Sequence, residues 1–188
     1  MPARRYAYWL VLSLIALHPA GFSRGEVASK SDMDFRVHHE YSVSRPAEVV
    51  YEKFIDIGSW WHPDHTWSGD AKNLSLDPTP GGLFVEQFPD GGFSEHMRVI
   101  AIQPNRMVRM TGALGPLQEF PVVGVMSISF QSKDEKTTSV TVDYRVSGSF
   151  PGAPDAIADA VDRVIGEQFS RLKSASQYPD ITADKDIE

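Results

Sequence analysis

The side chains best suited to binding chemistry are concentrated in one short stretch, residues 59–70. It contains three of the chain's four tryptophans and two of its six histidines. An indole combines a large apolar ring with one N–H donor, so Trp60, Trp61 and Trp67 suit the mouth of a pocket that holds a flat or apolar molecule. Alternatively, all three rings complete the core, or one or two point inward while the third lies at the pocket.

The two histidines of this stretch could also be read as metal ligands. His62 and His65 are three residues apart, with Asp64 and Asp70 nearby, and imidazole and carboxylate groups suit zinc. However, Pro63 interrupts the segment, and no third histidine follows at a recognisable spacing. We therefore predict no metal site and no cofactor, and we expect these side chains to cap turns and bond the indoles.

Two polar residues interrupt apolar strand patterns further along the chain. Strand alternation places Glu86 on one face with Phe84, and it places His96 together with Arg98 and Ile100. If those faces meet a cavity, a carboxylate and an imidazole could act as general base and acid. In the opposite register they form a surface salt bridge of little consequence, and we expect Arg98 to face solvent. The candidate catalytic residues are His65, Glu86 and His96.

Composition excludes several other classes of function. The chain has no cysteine, no Gly-x-Ser-x-Gly motif and no glycine-rich loop of the kind that cradles a phosphate. Its formal net charge is −7, and it has no block of Lys and Arg. An acidic chain of this kind is not expected to bind nucleic acid or an anionic membrane surface.

The N-terminus is typical of a secretory signal. Arg4 and Arg5 precede an apolar run over residues 6–17, and Pro19 ends it. The run is shorter than the roughly 20 residues that a membrane-spanning helix needs. We therefore predict a secreted or periplasmic protein that does not insert into a membrane once the signal is removed. An uncleaved N-terminal anchor is the alternative.

Two positions compete for signal cleavage. Val27-Ala28-Ser29 offers small residues at a suitable spacing, and Gly21-Phe22-Ser23 is the rival. Residues 24–33 are polar and lack periodicity, which predicts a linker. The predicted organisation is a signal peptide over 1–29, one domain over 30–176 and a flexible tail over 177–188.

The domain is expected to begin with a half-buried strand. Residues 34–43 alternate between apolar and polar types, which places His39 on the buried face and His38 towards solvent. His39 then either bonds a neighbour in the core or contacts a ligand. A short helix follows, with Ser44 as the predicted N-cap, Pro46 in the first turn and Gly58 at the end.

Strand patterns and one long helix complete the chain. The helix begins near Asp155 and carries apolar residues at steps of three and four up to Leu172. We predict an α+β fold in which a curved antiparallel sheet of about six or seven strands wraps around this C-terminal helix. The predicted strands after the tryptophan stretch are Leu74–Leu76, Leu83–Phe88, Phe93–Ile102, Arg106–Thr111, Val122–Phe130 and Val140–Val146.

This order of elements resembles the helix-grip fold of the SRPBCC, or START-like, superfamily. Three segments are similar to its Aha-type and polyketide cyclase-like branch: residues 44–51 opening the first helix, Trp60-Trp61 after it, and Pro80-Gly-Gly-x-Phe84 entering a strand. The resemblance implies a cavity between sheet and helix that accepts lipids, polyketides or other apolar molecules. The signal-like N-terminus differs from the cytosolic chaperone activators of that branch.

Three functions follow as hypotheses. The first is an exported protein that binds a small apolar or amphipathic molecule in the cavity. The second is a cyclase or dehydratase that uses a cavity acid–base pair. The third is a protein-interaction module similar to chaperone ATPase activators. The predicted ligand-binding residues are His39, Trp60, Trp61, His65, Trp67, Phe84 and Glu86.

Overall fold

The computed structural model describes residues 24–150, 152 and 154–177. Within them, eight antiparallel strands form one curved sheet that is packed against a long C-terminal helix, so the predicted α+β fold is confirmed with eight strands rather than six or seven. The strands are β1 Arg24–Lys30, β2 Asp34–Val43, β3 Leu74–Leu76, β4 Leu83–Gln87, β5 Phe93–Gln103, β6 Met107–Gly112, β7 Val122–Ser132 and β8 Thr138–Gly148. The α-helices are α1 Ala47–Ile55 and α2 Pro154–Gln177.

Strand β1 replaces the predicted linker. It pairs antiparallel with β2, with Arg24 opposite Glu40 and Lys30 opposite Phe35. Most of its side chains are exposed, and Val27 packs partly against the core, so the strand leaves no alternating pattern in the sequence. Residues 1–23 of the predicted signal peptide and residues 178–188 of the predicted tail lie outside the described residues.

The order of strands across the sheet is β1-β2-β8-β7-β6-β5-β4-β3. The alternation predicted for β2 is observed, since its odd-numbered residues from Phe35 to Val43 are buried against the helices. His38 lies on the other face, where it contacts Asp143 of β8 at 3.1 Å. Four strands separate β2 from β4, so His39 and Glu86 lie at opposite ends of the sheet.

The boundaries of α1 differ from the prediction. Its N-cap is Pro46 and no side chain caps the helix, so Ser44 is not the cap. The helix ends at Ile55 and is followed by a 3₁₀ turn, Ile57–Ser59, rather than continuing to Gly58. This early end turns the chain towards the core immediately before the tryptophan stretch.

Aromatic side chains fill the space between the sheet and α2. The ring of Trp60 lies 5.8 Å from Phe169 of α2 and 5.5 Å from Trp61, and Trp61 packs edge-on against Phe84 of β4 at 5.5 Å. Phe54 of α1 joins the same cluster through Trp60 and Phe169. Rings of this size supply much of the apolar area that the fold buries. Neither described helix is long and apolar enough to cross a membrane.

We predict that Trp60→Ala lowers the free energy of unfolding by about 3–5 kcal/mol, because it leaves a large cavity among packed rings. Trp67→Ala, at a half-exposed site, should cost less than about 1 kcal/mol. Urea unfolding followed by circular dichroism measures both values. Equal losses for the two variants would contradict this division of the tryptophans between core and surface.

Candidate ligand-binding site

The residues predicted from sequence to bind a ligand lie in three places rather than one. Trp60, Trp61 and Phe84 lie in the core; Trp67 and Glu86 lie near the β3 edge of the sheet; His39 and His65 contact α2 from opposite sides. Of these residues, Trp67 lines an open cleft.

Trp60 and Trp61 lie in the core, in agreement with the alternative in which two of the three rings point inward. The indole N–H of Trp60 donates to the backbone oxygen of Phe54 at 3.3 Å, and that of Trp61 donates to the backbone oxygen of His65 at 3.0 Å. Both donors are therefore satisfied within the protein, and both rings are buried. Neither indole is presented to solvent.

Trp67 is the tryptophan of the stretch that remains at the surface. Half of its area is exposed, and its ring forms one wall of a cleft of about 690 Å³. Phe93, with 63% of its area exposed, lies in the same cleft at the start of β5. Large exposed aromatic rings that share a concave surface are typical of a binding site. The cleft is lined by Trp67, Ser68, Phe88, Pro89, Asp90, Phe93, Ser94, Gln118 and Glu119.

The buried carboxylate of Glu86 holds Trp67 in place. The backbone N–H of Trp67 donates to one oxygen at 3.1 Å, and that of Ser68 donates to the other at 2.5 Å. Glu86 is completely buried, so these charge-assisted bonds form where no water competes for them. The backbone that carries the indole is thereby fixed to β4.

His96 completes this arrangement because a β-bulge turns it inward. Phe84 pairs with Met97, but the next pair is Val85 with Glu95, which leaves His96 as an extra residue in β5. The bulge breaks the alternation, so His96 lies on the buried face whereas Arg98 is exposed. The predicted grouping of His96 with Arg98 is therefore wrong, and the predicted exposure of Arg98 is correct.

The structure does bring the candidate acid–base pair together, with His96 Nε2 3.1 Å from Glu86 Oε2. Burial would raise the pKa of Glu86, but bonds from Ser68, Trp67 and His96 outweigh it and hold that pKa below its usual value. Burial lowers the pKa of His96, and Glu86 only partly offsets this. The Glu86 side chain is fully buried and that of His96 nearly so, and the pair holds the loop that carries Trp67.

His65, the third candidate catalytic residue, lies elsewhere. Its Nε2 is 3.1 Å from a carboxylate oxygen of Glu167 on α2, and His62 Nε2 is 3.6 Å from the other oxygen. His62 Nδ1 also accepts the backbone N–H of Asp64, which is the turn capping expected from the sequence. Among the described residues, no group of three or more His, Asp or Glu is arranged to hold a metal ion.

His39 joins the sheet to α2. Its Nε2 lies 2.9 Å from Asp162 Oδ1, and its Nδ1 lies 3.2 Å from the hydroxyl of Tyr41. The ring is enclosed by two glycines: a Cβ added at Gly25 would lie 1.9 Å from it, and one at Gly166 would lie 2.9 Å away. His39 is thus the core histidine bonded to a neighbour, which was one of the two roles considered from sequence.

Phe93 is a cleft residue that the sequence patterns did not single out. Phe88 ends one predicted strand and Phe93 begins the next, with residues 89–92 between them. Aromatic residues on both sides of a hairpin turn lie near each other across the strands, and this signal could have indicated the second wall of the cleft.

A second cleft, of about 740 Å³, lies at the other end of the molecule. It is bounded by the start of α1, the turn between β5 and β6, and the end of β7. Phe130 is its one aromatic lining residue, and that ring is buried in the core. None of the residues predicted to bind a ligand lines it, so the cleft around Trp67 is the better candidate.

A family model described as Activator of Hsp90 ATPase homolog 1-like protein matches residues 44–177, more than two thirds of the chain. No curated protein matches the sequence significantly. The match runs from Ser44 to Gln177, the last residue of α2. It therefore includes both the cleft and the core tryptophans.

Solved structures share the fold at low sequence identity. A protein from Rhizobium leguminosarum aligns with a TM-score of 0.57 and 16% identity, over 83% of this chain and 98% of its own. A protein of unknown function from Enterococcus faecalis gives a TM-score of 0.55 and 12% identity, over 88% of this chain and 82% of its own. DynU16, from the dynemicin biosynthetic locus, gives 0.52 and 20%, over 79% of this chain and 51% of its own.

We predict that stability falls as pH drops below about 6.5, the ordinary pKa of histidine. Burial lowers the pKa of both His39 and His96, so the unfolded chain binds protons that the folded chain does not, and acid favours unfolding. Each histidine contributes at most about 1.4 kcal/mol per pH unit to the slope.

Urea unfolding between pH 7 and pH 5 measures this slope. His96→Gln should make it shallower, and the His39→Gln/His96→Gln double variant should make it shallower again. Slopes are compared rather than absolute stabilities, because each substitution also removes a buried hydrogen bond. A slope unchanged in the double variant would show that other groups control the acid response.

Proposed function

Because the chain belongs to the family of Activator of Hsp90 ATPase homolog 1-like proteins, within the SRPBCC superfamily, we propose that it binds a small apolar or amphipathic molecule in the cleft around Trp67. The observation that carries the proposal is that a half-exposed indole is held in a cleft by a fully buried carboxylate. The fold and the packing of the core support this location over the space between sheet and helix.

Pre-organisation is the first argument. When a ligand binds to a mobile loop, the loss of loop entropy makes the binding free energy less favourable. A fixed aromatic wall avoids that loss. Trp67 is fixed through its backbone by Glu86, while its ring remains available. The opposite wall is also fixed, because the Gln118 side chain donates to the backbone oxygen of Glu95 at 2.8 Å and accepts from Ser94 at 3.0 Å.

The occupied core is the second argument. The rings of Trp60, Trp61 and Phe169 fill the region where the resemblance to helix-grip proteins implied a cavity. A ligand there would have to displace packed aromatic side chains, each of which contributes several kcal/mol to stability. The cleft at the β3 edge offers volume without that loss.

A role as a protein-interaction module has less support. Val125 and Val123 are exposed on the outer face of the sheet, as such a role requires. Across the sheet, however, Val125 lies between Arg145 and Thr111, and Arg98 follows Thr111 in the same row. The exposed apolar side chains are therefore interrupted by polar and charged ones and do not form a continuous patch.

We predict that the neutral dye N-phenyl-1-naphthylamine binds the cleft and that Trp67→Ala raises its Kd about tenfold, because the variant loses most of an indole's contact area. Fluorescence titration measures the Kd. Ile100→Ala is the matched control, since it removes an exposed apolar side chain outside the cleft. Absence of dye binding, or equal Kd values for both variants, would overturn the proposed site.

We further propose that the protein is exported and that its signal is cleaved after Ser23. Removing residues 1–29 would delete all of β1 except Lys30, although β1 is paired along its length with β2 and contributes Gly25 to the enclosure of His39. Without β1, His39 and Asp162 would be exposed to water, which would weaken the contact that they make between the sheet and α2. Of the two candidate positions, Gly21-Phe22-Ser23 leaves the strand intact.

We predict that the mature protein, expressed from the full-length sequence in a Gram-negative host, is recovered from the periplasm with the intact mass of residues 24–188. A mature chain that begins at Lys30 would contradict the retention of β1. Recovery of the uncut chain from the cytoplasm would contradict export itself.

A further inference from the structure

The charge of the cleft around Trp67 is of one sign. Asp90 and Glu119 line it as exposed carboxylates, while Ser68, Ser94 and Gln118 supply its neutral polar groups. None of the described residues that line it is Lys, Arg or His. Its polar rim is therefore acidic, and the chain as a whole is also negative, with a formal net charge of −7.

Two basic groups close in sequence to Ser94 are committed elsewhere. Arg98 bonds the carboxylate of Glu95 at 2.8 Å and the backbone oxygen of Gly81 at 3.1 Å. His96 lies behind the cleft, buried and bonded to Glu86. Neither group is directed to the rim, so neither neutralises Asp90 or Glu119.

The carboxylate of Asp90 is held at the rim by its own turn. One of its oxygens accepts the backbone N–H of Gly92 at 3.1 Å, within the hairpin between β4 and β5. Phe88 and Phe93 line the same cleft. The hairpin thus contributes an oriented carboxylate and two aromatic side chains to one cleft.

Aromatic faces and carboxylates favour the same kind of ligand. The face of an indole or phenyl ring carries partial negative charge and attracts cations, most strongly for Trp. Two carboxylates at the rim add a Coulombic attraction of the same sign. An anionic amphiphile, such as a fatty acid, would meet repulsion from both.

Building on the proposed function, we propose that the cleft selects a cation with an apolar body, an aromatic or alkyl amine, over its neutral and anionic counterparts. The apolar body lies against Trp67 and Phe93, and the ammonium group lies towards Asp90 and Glu119.

Three ligands with one ring system test the proposal: 1-naphthylmethylamine, which is cationic at pH 7, 1-naphthylmethanol and 1-naphthylacetate. Each is titrated against bound N-phenyl-1-naphthylamine at low salt. We expect the amine to displace the dye at a concentration about fivefold lower than the alcohol, and the acetate to be the weakest. The preference should shrink in 0.5 M NaCl, since salt screens exposed charges.

Two double variants locate the effect. Asp90→Asn/Glu119→Gln should abolish the preference for the amine, so that the amine and the alcohol displace the dye at equal concentrations. Asp134→Asn/Glu52→Gln is the matched control: it changes net charge equally, and Asp134 also accepts a backbone N–H within a hairpin turn, away from the cleft. The control should keep the preference.

The outcomes separate the two proposals. If the dye binds but the three ligands displace it equally, or if both double variants lose the preference, the selection of cations by the rim is wrong and the proposed binding site stands. If the dye does not bind, or if Trp67→Ala leaves its Kd unchanged, the proposed site itself fails.

Discussion

The arrangement at the β3 edge depends on one buried charge. Glu86 carries an ionised carboxylate into a region closed to water, where an unpaired charge would cost several kcal/mol. Two backbone N–H groups and one imidazole must therefore reach it, and each of these requirements shapes a different part of the molecule. The loop after the 3₁₀ turn at Pro63–His65 must approach β4, and β5 must bulge so that His96 turns inward. The exposed position of Trp67 results from these requirements.

A second buried polar residue, His39, lies at the other end of the sheet and is also held by polar partners. His39 contacts Asp162 and Tyr41, and Tyr41 donates to the backbone oxygen of Gly166 at 3.0 Å. A glycine within a helix lowers its stability by about 1 kcal/mol relative to alanine, and here it lets α2 approach the imidazole closely. The long helix is thus positioned by polar contacts at β2 and by aromatic packing around Trp60. The two contacts fix both its distance from the sheet and its rotation.

Much of this fold follows from sequence patterns with a clear physical basis. The alternation in β2 and the apolar stripe of α2 each reflect one buried face, and the structure confirms both. Strand β1 is mostly exposed and Val27 is its one large apolar residue, so the same reasoning assigned a linker there. The site was predictable to the extent that it follows alternation: Glu86 was correctly grouped with Phe84.

His96 marks the limit of that reasoning. A single extra residue in β5 reverses which side chains face inward. No local sequence feature of residues 93–103 indicates this bulge. The division of the tryptophans between core and surface was likewise open. All three indoles are equally apolar, and their positions depend on partners distant in sequence, such as Phe169 for Trp60 and Glu86 for Trp67. Long-range contacts of this kind leave no periodic signal.

The two walls of the cleft differ in how freely they can change during evolution. Trp67 is tied to a buried carboxylate, so a substitution that shifts its backbone disturbs β4 and β5 together. The facing wall includes the hairpin turn Pro89–Gly92, which is solvent-exposed and makes its hydrogen bonds within itself. Turns of this type accept substitutions and insertions at little cost to the sheet that they connect. A change in this hairpin can therefore alter one wall of the cleft while the anchored indole and the core stay as they are.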